Sequence, residues 1–176
     1  MDERADESMS HLHLTAWATA AQFLAREAAV LDSGDYKGWL ELLAEDIQYQ
    51  VPVRATRYGT LEDEFSATSF HFDEDFYSLT MRVNRLDTKF AWAEDPPTRV
   101  RHIVGNVLVR DASDDRIEVS SAFLLYRSRL DEAQGEVLSG LREDRLVREG
   151  PGWRLGRRTA FLDQTVLAVS TLSTFL

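Results

Sequence analysis

Asp95-Pro96-Pro97 divides this chain into two patterns that one kind of secondary structure cannot accommodate. Proline lacks an N–H and fixes φ, and the residue before a proline is pushed out of the helical region, so no helix passes this point. Upstream, apolar residues recur mainly at helical spacing. Downstream they alternate, as in strands. Helices first and long strands afterwards is the order of an α+β fold in which a sheet packs against helices, rather than of a β-α-β chain. Trp92, Glu94 and Asp95 sit on the Pro-Pro segment, and Arg99 and Arg101 follow at strand spacing. A stiff loop with an aromatic ring and both signs of charge is either a corner between two elements or a docking surface. Most Pro-Pro loops only punctuate.

In chain order, residues 1–14 are expected to form a flexible tail and 15–176 a single domain. Thr15 is a candidate N-cap for a helix over 16–32, with Trp17, Ala20, Phe23, Leu24 and Leu31 on one side. Gly34 has the place of a C-cap and Asp35 that of the next N-cap, for a second helix over 36–44. Residues 47–54 alternate strictly, with Ile47, Tyr49, Val51 and Val53 on one face. Pro52 removes a ladder donor and marks that strand as an edge or a bulge site. Residues 54–71 show no period and read as a long surface loop. Asp73-Glu74-Asp75 is expected to open a third helix carrying Phe76, Leu79, Val83, Leu86 and Phe90.

Strands are expected over 99–110, 116–130, 136–148 and 152–162, with an extension toward 169. The breaks at 111–115, 131–134 and 149–152 are rich in Asp, Gly, Pro and Ser or in short polar runs. Connections this short make antiparallel hairpins. The sum is a cone: a curved antiparallel or mixed sheet wrapped on N-terminal helices. In several strands both faces are apolar. Ile103, Val107 and Val109 oppose Val104 and Leu108, and Phe123 and Leu125 oppose Leu124 and Tyr126. Helices cover one face of such a sheet, so a second apolar face asks for a partner. Residues 166–176 contain no charged side chain and end in Phe175-Leu176, a segment expected to dock.

Composition removes several function classes. With no cysteine among 176 residues the chain has no disulfide, no thiolate metal site and no cysteine nucleophile. Its net charge is −10, and residues 1–98 hold 19 acidic and 8 basic side chains, so there is no basic nucleic-acid footprint. No basic-then-apolar leader is visible, and no apolar run reaches the roughly 18–20 residues of a membrane helix. These features suit the cytoplasm, with no nucleic-acid or membrane partner. The histidines are His11, His13, His71 and His102. Their spacing does not support an iron site of two histidines and a carboxylate. There is no phosphate loop, nucleophile elbow or zinc-protease motif.

Several segments resemble one family. They are Glu27-Ala-x-x-Leu31-Asp32, Asp35-Tyr36-x-x-Trp39-Leu40, Leu43-Ala44-Glu45-Asp46-Ile47-x-Tyr49 and Pro52-Val53-Arg54 near the start. Arg82-Val83-x-Arg85-Leu86, Ala91 through Arg99, Arg101-His102 and Asn106 follow, then Arg157-Arg158 and Leu162-Asp163-Gln164. Together they are similar to the β (small) subunit of aromatic-ring-hydroxylating dioxygenases, over roughly residues 24–167. Thr88-Lys89 departs from the Thr-Gly of that pattern.

The resemblance implies a nuclear-transport-factor-2-like cone that assembles with an α subunit, commonly as α3β3. It implies that the α subunit holds a Rieske [2Fe–2S] cluster and a mononuclear Fe(II), and that no cofactor, metal or catalytic residue belongs to this chain. The complex would draw electrons from NAD(P)H through a reductase and often a ferredoxin. It would add both atoms of O2 to an aromatic ring, giving a cis-dihydrodiol in aromatic catabolism. On this reading Trp92, Glu94, Asp95, Arg99 and Arg101 are the candidate subunit-interface residues. A different reading rests on cone proteins that work alone as isomerases, dehydratases or binders of small hydrophobic molecules. There His102, near Tyr49 or Asp46, would be a general base. The plainer account of His102 is a hydrogen-bonded core histidine.

Overall fold

The computed structural model describes residues 3–55, 60–86, 98–128, 135–165 and 174–176, with the side chains of 3–11, 61 and 62 left aside. Three helices, α1 (Glu3–Asp32), α2 (Tyr36–Leu40) and α3 (Phe76–Leu86), accompany six strands. The strands are β1 (Leu43–Arg54), β2 (Phe65–Glu74), β3 (Arg99–Ala112), β4 (Arg116–Ser128), β5 (Glu136–Glu149) and β6 (Gly152–Leu162). They form one curved, unclosed sheet in the order β2-β1-β6-β5-β4-β3. The β3-β4-β5-β6 meander is antiparallel, as its short breaks require. β1 joins it by pairing parallel to β6, so the sheet is mixed.

The core lies between the helices and the concave face. Ala16, Ala20, Phe23, Leu24 and Leu31 of α1 are buried, and so are Val109, Val119, Phe123, Leu125, Leu138 and Leu146 of the meander. Local chemistry sets the helix ends. Gly34 takes φ 75°, which a glycine adopts without a Cβ clash. Asp35 then caps α2 by accepting from the Gly38 N–H at 2.9 Å. At α3 the cap is reciprocal: Asp75 accepts from the Ser78 N–H at 2.8 Å, and Ser78 Oγ accepts from the Asp75 N–H at 2.9 Å.

Several expectations change. The first helix begins at Glu3, so Thr15 lies within it and is not its cap. Trp17 is half exposed while Ala16 takes the buried place, and the indole Nε1 donates to the Val107 carbonyl at 3.2 Å. The second helix stops at Leu40; Leu43 and Ala44 already belong to β1. Residues 65–74 are a strand, not loop, and Asp73 and Glu74 end that strand while Asp75 alone caps α3. β2 escaped detection because it is an edge strand with only Phe72 buried. β1 is interior, so Pro52 marks a bulge and not an edge: the β1–β2 register shifts on both sides of it. The third helix is described to Leu86; its expected continuation to Phe90 lies outside the described residues.

β3 also breaks its expected alternation. Its register against β4 shifts between Gly105 and Leu108, and Asn106 takes φ 50°. The extra residue reverses the facing of the strand beyond it. Ile103 is exposed as expected of one face, but Val109, assigned to that same face, is buried. In β4 the two-faced pattern holds: Phe123 and Leu125 are buried while Leu124 and Tyr126 are exposed.

Candidate functional site

Two features stand out on this scaffold: a charged network filling the concave interior, and an uncovered apolar area on the convex face. The interior network starts from a row across the sheet. Tyr49 of β1 pairs with Arg158 of β6, which pairs with Asp144 of β5. α1 lays Glu27 over this row. Arg158 directs every N–H inward to an acceptor. Nε and Nη2 bind Asp144 at 2.8 Å each, and Nη1 and Nη2 bind Glu27 at 2.8 and 2.7 Å. Nη1 also donates to the Leu176 main-chain oxygen at 2.8 Å. Trp39 Nε1 adds a bond to Glu27 at 3.0 Å. A buried arginine fully matched in this way keeps its charge, because the planar fork has no N–H left bare.

Arg142 is the poorer partner. Its Nη1 stands 3.9 Å from Glu27 Oε2, and its guanidinium lies 4.9 Å from the Phe123 ring centroid. Among the described residues its Nε and Nη2 have no partner, and Ser121 Oγ, cross-strand from it, has none either. Burial, aided by Arg158, lowers the Arg142 pKa to about 10. Burial opposes ionisation of Glu27, yet Arg158 and Arg142 outweigh it and hold the carboxyl below its usual range. Burial raises the Tyr49 hydroxyl. The sequence held one signal for this cluster: Arg142 and Asp144 occupy alternation positions that Leu138 and Leu146 mark as inward. Glu27 and Arg158 appear among the family-like segments but carry no local pattern that joins them.

His102 is a structural tie. Its Nδ1 lies 2.7 Å from Asp32 Oδ1 and its Nε2 3.0 Å from the Phe175 carbonyl oxygen. Its backbone N–H donates to the same Asp32 oxygen at 2.9 Å. Neither Tyr49 nor Asp46 is its partner: Tyr49 hydrogen-bonds Leu176, and Asp46 is exposed. With both ring nitrogens engaged, the arrangement is that of a core histidine and gives the general-base reading no support. Among the described residues no group of three His, Asp or Glu side chains is placed to hold a metal.

Of the proposed interface residues, Arg99 is exposed at the start of β3. Arg101 is exposed and pairs with Asp32 at 3.0 Å, bracing the α1 end against β3. Trp92, Glu94 and Asp95 lie outside the described residues. The convex face carries the second apolar surface expected from β3 and β4, and β5 adds Val137 and Leu141 to it. Ile103 stands opposite Leu124, Tyr126 opposite Val137, and Leu141 opposite Ala122. Ile103, Leu124, Tyr126, Val137 and Leu141 are between 38 and 59 % exposed. Farther along the same face the surface turns charged, where Glu118 meets Arg145 at 2.6 Å and Arg157 at 3.2 Å.

The chain matches a family model described as the ring hydroxylating β subunit over residues 26–169. The benzene 1,2-dioxygenase β subunit of Pseudomonas putida is 37 % identical over 160 residues, covering 88 % of this chain and 85 % of that protein. Among solved structures, naphthalene 1,2-dioxygenase with indole bound in the active site superposes with a TM-score of 0.78. It covers 100 % of this chain and 95 % of the matched one at 24 % identity. An NTF2-like protein with a cystatin-like fold from Novosphingobium aromaticivorans superposes at 0.62, with 18 % identity and 96 and 95 % coverage. These two establish the cone fold. The extent of the family match and the identity to the Pseudomonas protein establish more: this chain belongs to the β subunits of ring-hydroxylating dioxygenases.

Proposed function

We propose that the chain is the non-catalytic, structural β subunit of a terminal oxygenase, assembled with an iron-carrying α subunit as α3β3 in the cytoplasm. The convex apolar face of β3–β5 carries this reading. Five large apolar side chains stand exposed there in register, on a chain whose concave face is already filled. Monomers rarely leave such a patch bare. The α subunit would hold the Rieske cluster and the mononuclear iron, fed by a reductase and a ferredoxin. It would carry out the cis-dihydroxylation of an aromatic compound. This chain would shape and hold the assembly. The corner of Trp92, Glu94 and Asp95, with Arg99 and Arg101 beyond it, is assigned to the contact with the α subunit.

Co-expression with an α subunit of a ring-hydroxylating dioxygenase tests the proposal. The expected product is a complex of about six chains whose iron tracks the large subunit. A small iron-free species that ignores the large chain overturns it. Within a complex that does form, the double change Trp92→Ala and Asp95→Ala should release the α subunit. Intact assembly would demote the corner to local structure.

A further inference from the structure

Given the assembly proposed above, on which this rests, we infer that the groove between α1 and the β3 edge receives an apolar segment of the α subunit. The partner then holds the sheet by its convex face and by that edge together. β3 ends the sheet on one side, and α1 runs beside it. Leu14 and Trp17 of α1 meet Val107, Leu108 and Val109 across an open groove of about 730 Å³ that His13 also lines. The Trp17 indole N–H is engaged by the Val107 carbonyl at 3.2 Å, so the ring offers the groove apolar surface. Leu14, Trp17 and Leu108 are each 46 to 62 % exposed.

The groove continues the convex patch. Leu108 stands opposite Ser120, and β4 keeps its register from Ser120 to Leu124, so Leu108 and Leu124 lie on the same side of the sheet. The apolar surface runs from Ile103 and Leu124, past Gly105 and Ala122, to Leu108, and turns the strand edge to Trp17 and Leu14. A stable interface engages about 20–30 residues a side, and five convex side chains alone fall well short of that. A second copy of this chain fits the groove poorly. Among the described residues, the large apolar side chains exposed elsewhere are Tyr77 and Met81 of α3, too few for a head-to-tail cover. A two-fold contact would set groove against groove and leave the space between α1 and β3 unpacked. A different chain with a projecting apolar segment fills it.

The chain has no cysteine, so one introduced thiol reports one place. Leu14→Cys is compared with Tyr77→Cys, which lies on α3 beside β1 and β2 at the far side of the sheet. Each is co-expressed with an α subunit of a ring-hydroxylating dioxygenase. Alkylation by N-ethylmaleimide is then timed in the complex and in the free small chain, read from the mass of the small chain. Assembly should slow Leu14→Cys about tenfold or more, because the thiol reacts only from the open form, and should leave Tyr77→Cys unchanged. Leu108→Glu should fold like the parent and assemble about a hundredfold more weakly, since apolar surface would cover an unpaired carboxylate. A complex in which Leu14→Cys slows no more than Tyr77→Cys overturns the inference and leaves the proposed assembly standing. So does one that forms unchanged with Leu108→Glu. Absence of any complex overturns both. Protection of Leu14→Cys that grows with the concentration of the small chain alone gives the groove to a second copy, and this too overturns the inference.

Discussion

Two buried arginines on adjacent strands should respond unequally to the same substitution. Arg158 has an acceptor for each N–H and bridges the Glu27 and Asp144 carboxylates. Removing it strands two buried carboxylates, so Arg158→Met is expected to lower stability by about 3–5 kcal/mol in urea unfolding. Arg142 leaves Nε and Nη2 unmatched and touches Glu27 only at 3.9 Å. Arg142→Met removes bare donors and fills the volume with an apolar chain. It also leaves Glu27 and Asp144 to Arg158 alone, so the net change is expected to be a loss of about 1–2 kcal/mol, smaller than for Arg158→Met. Glu27 adds a pH dependence. Burial alone would raise its carboxyl, but Arg158 and Arg142 lower it overall, so the unfolded chain binds its proton more readily than the folded one. The stability it contributes is complete above the ordinary glutamate range and is lost as pH falls through the depressed folded value. Circular dichroism of an acid titration should show this loss, and Glu27→Gln should flatten it.

At the level of the elements, the Asn106 bulge in β3 decides which residues of the strand face inward. Asn106 holds φ 50°, a region that glycine enters freely, asparagine tolerates and β-branched residues avoid. Asn106→Gly is expected to hold stability or gain up to about 1 kcal/mol, whereas Asn106→Val should lose about 1–2 kcal/mol by thermal unfolding. The bulge also shows where a pattern of two fails as a guide. Val109 follows Ile103 by an even count and still faces the other way. The meander after Pro97 was legible because turn residues separate regular alternation, and β5 and β6 begin where that chemistry places them. β2 was not: Ser66, Thr68 and Ser69 give it no apolar face, and its place depends on pairing with a bulged neighbour. The N-terminal turns of α1 lack the stripe that marked 16–32, so no apolar period announced them. The interior network joins Glu27, Asp144 and Arg158 from three distant parts of the chain, and tertiary contact alone unites them.

For the whole molecule, Leu124 and Leu125 separate assembly from folding, because neighbours on a strand face opposite ways. Leu125 is fully buried on the concave side, while Leu124 is 38 % exposed on the convex side, opposite Ile103. Leu125→Ala removes packed volume and should cost the chain about 2–5 kcal/mol. The molecules that remain folded should still assemble, since their outer face is unchanged. Leu124→Glu with Val137→Lys should behave in the reverse way. Each site is open to water in the single chain, so stability should change by no more than about 0.5 kcal/mol per substitution. Any partner laid over that face would have to bury both new charges, at a cost of several kcal/mol if they are unpaired. Mass measurement of the co-expressed complex, beside urea unfolding of the small chain, reads both effects. Loss of assembly at unchanged stability for the outer pair, against loss of stability with retained assembly for Leu125→Ala, would assign the convex face to subunit contact. If the outer pair assembles like the parent, the convex face is no subunit contact, and the proposed contact with the α subunit rests on the Trp92–Arg101 stretch alone.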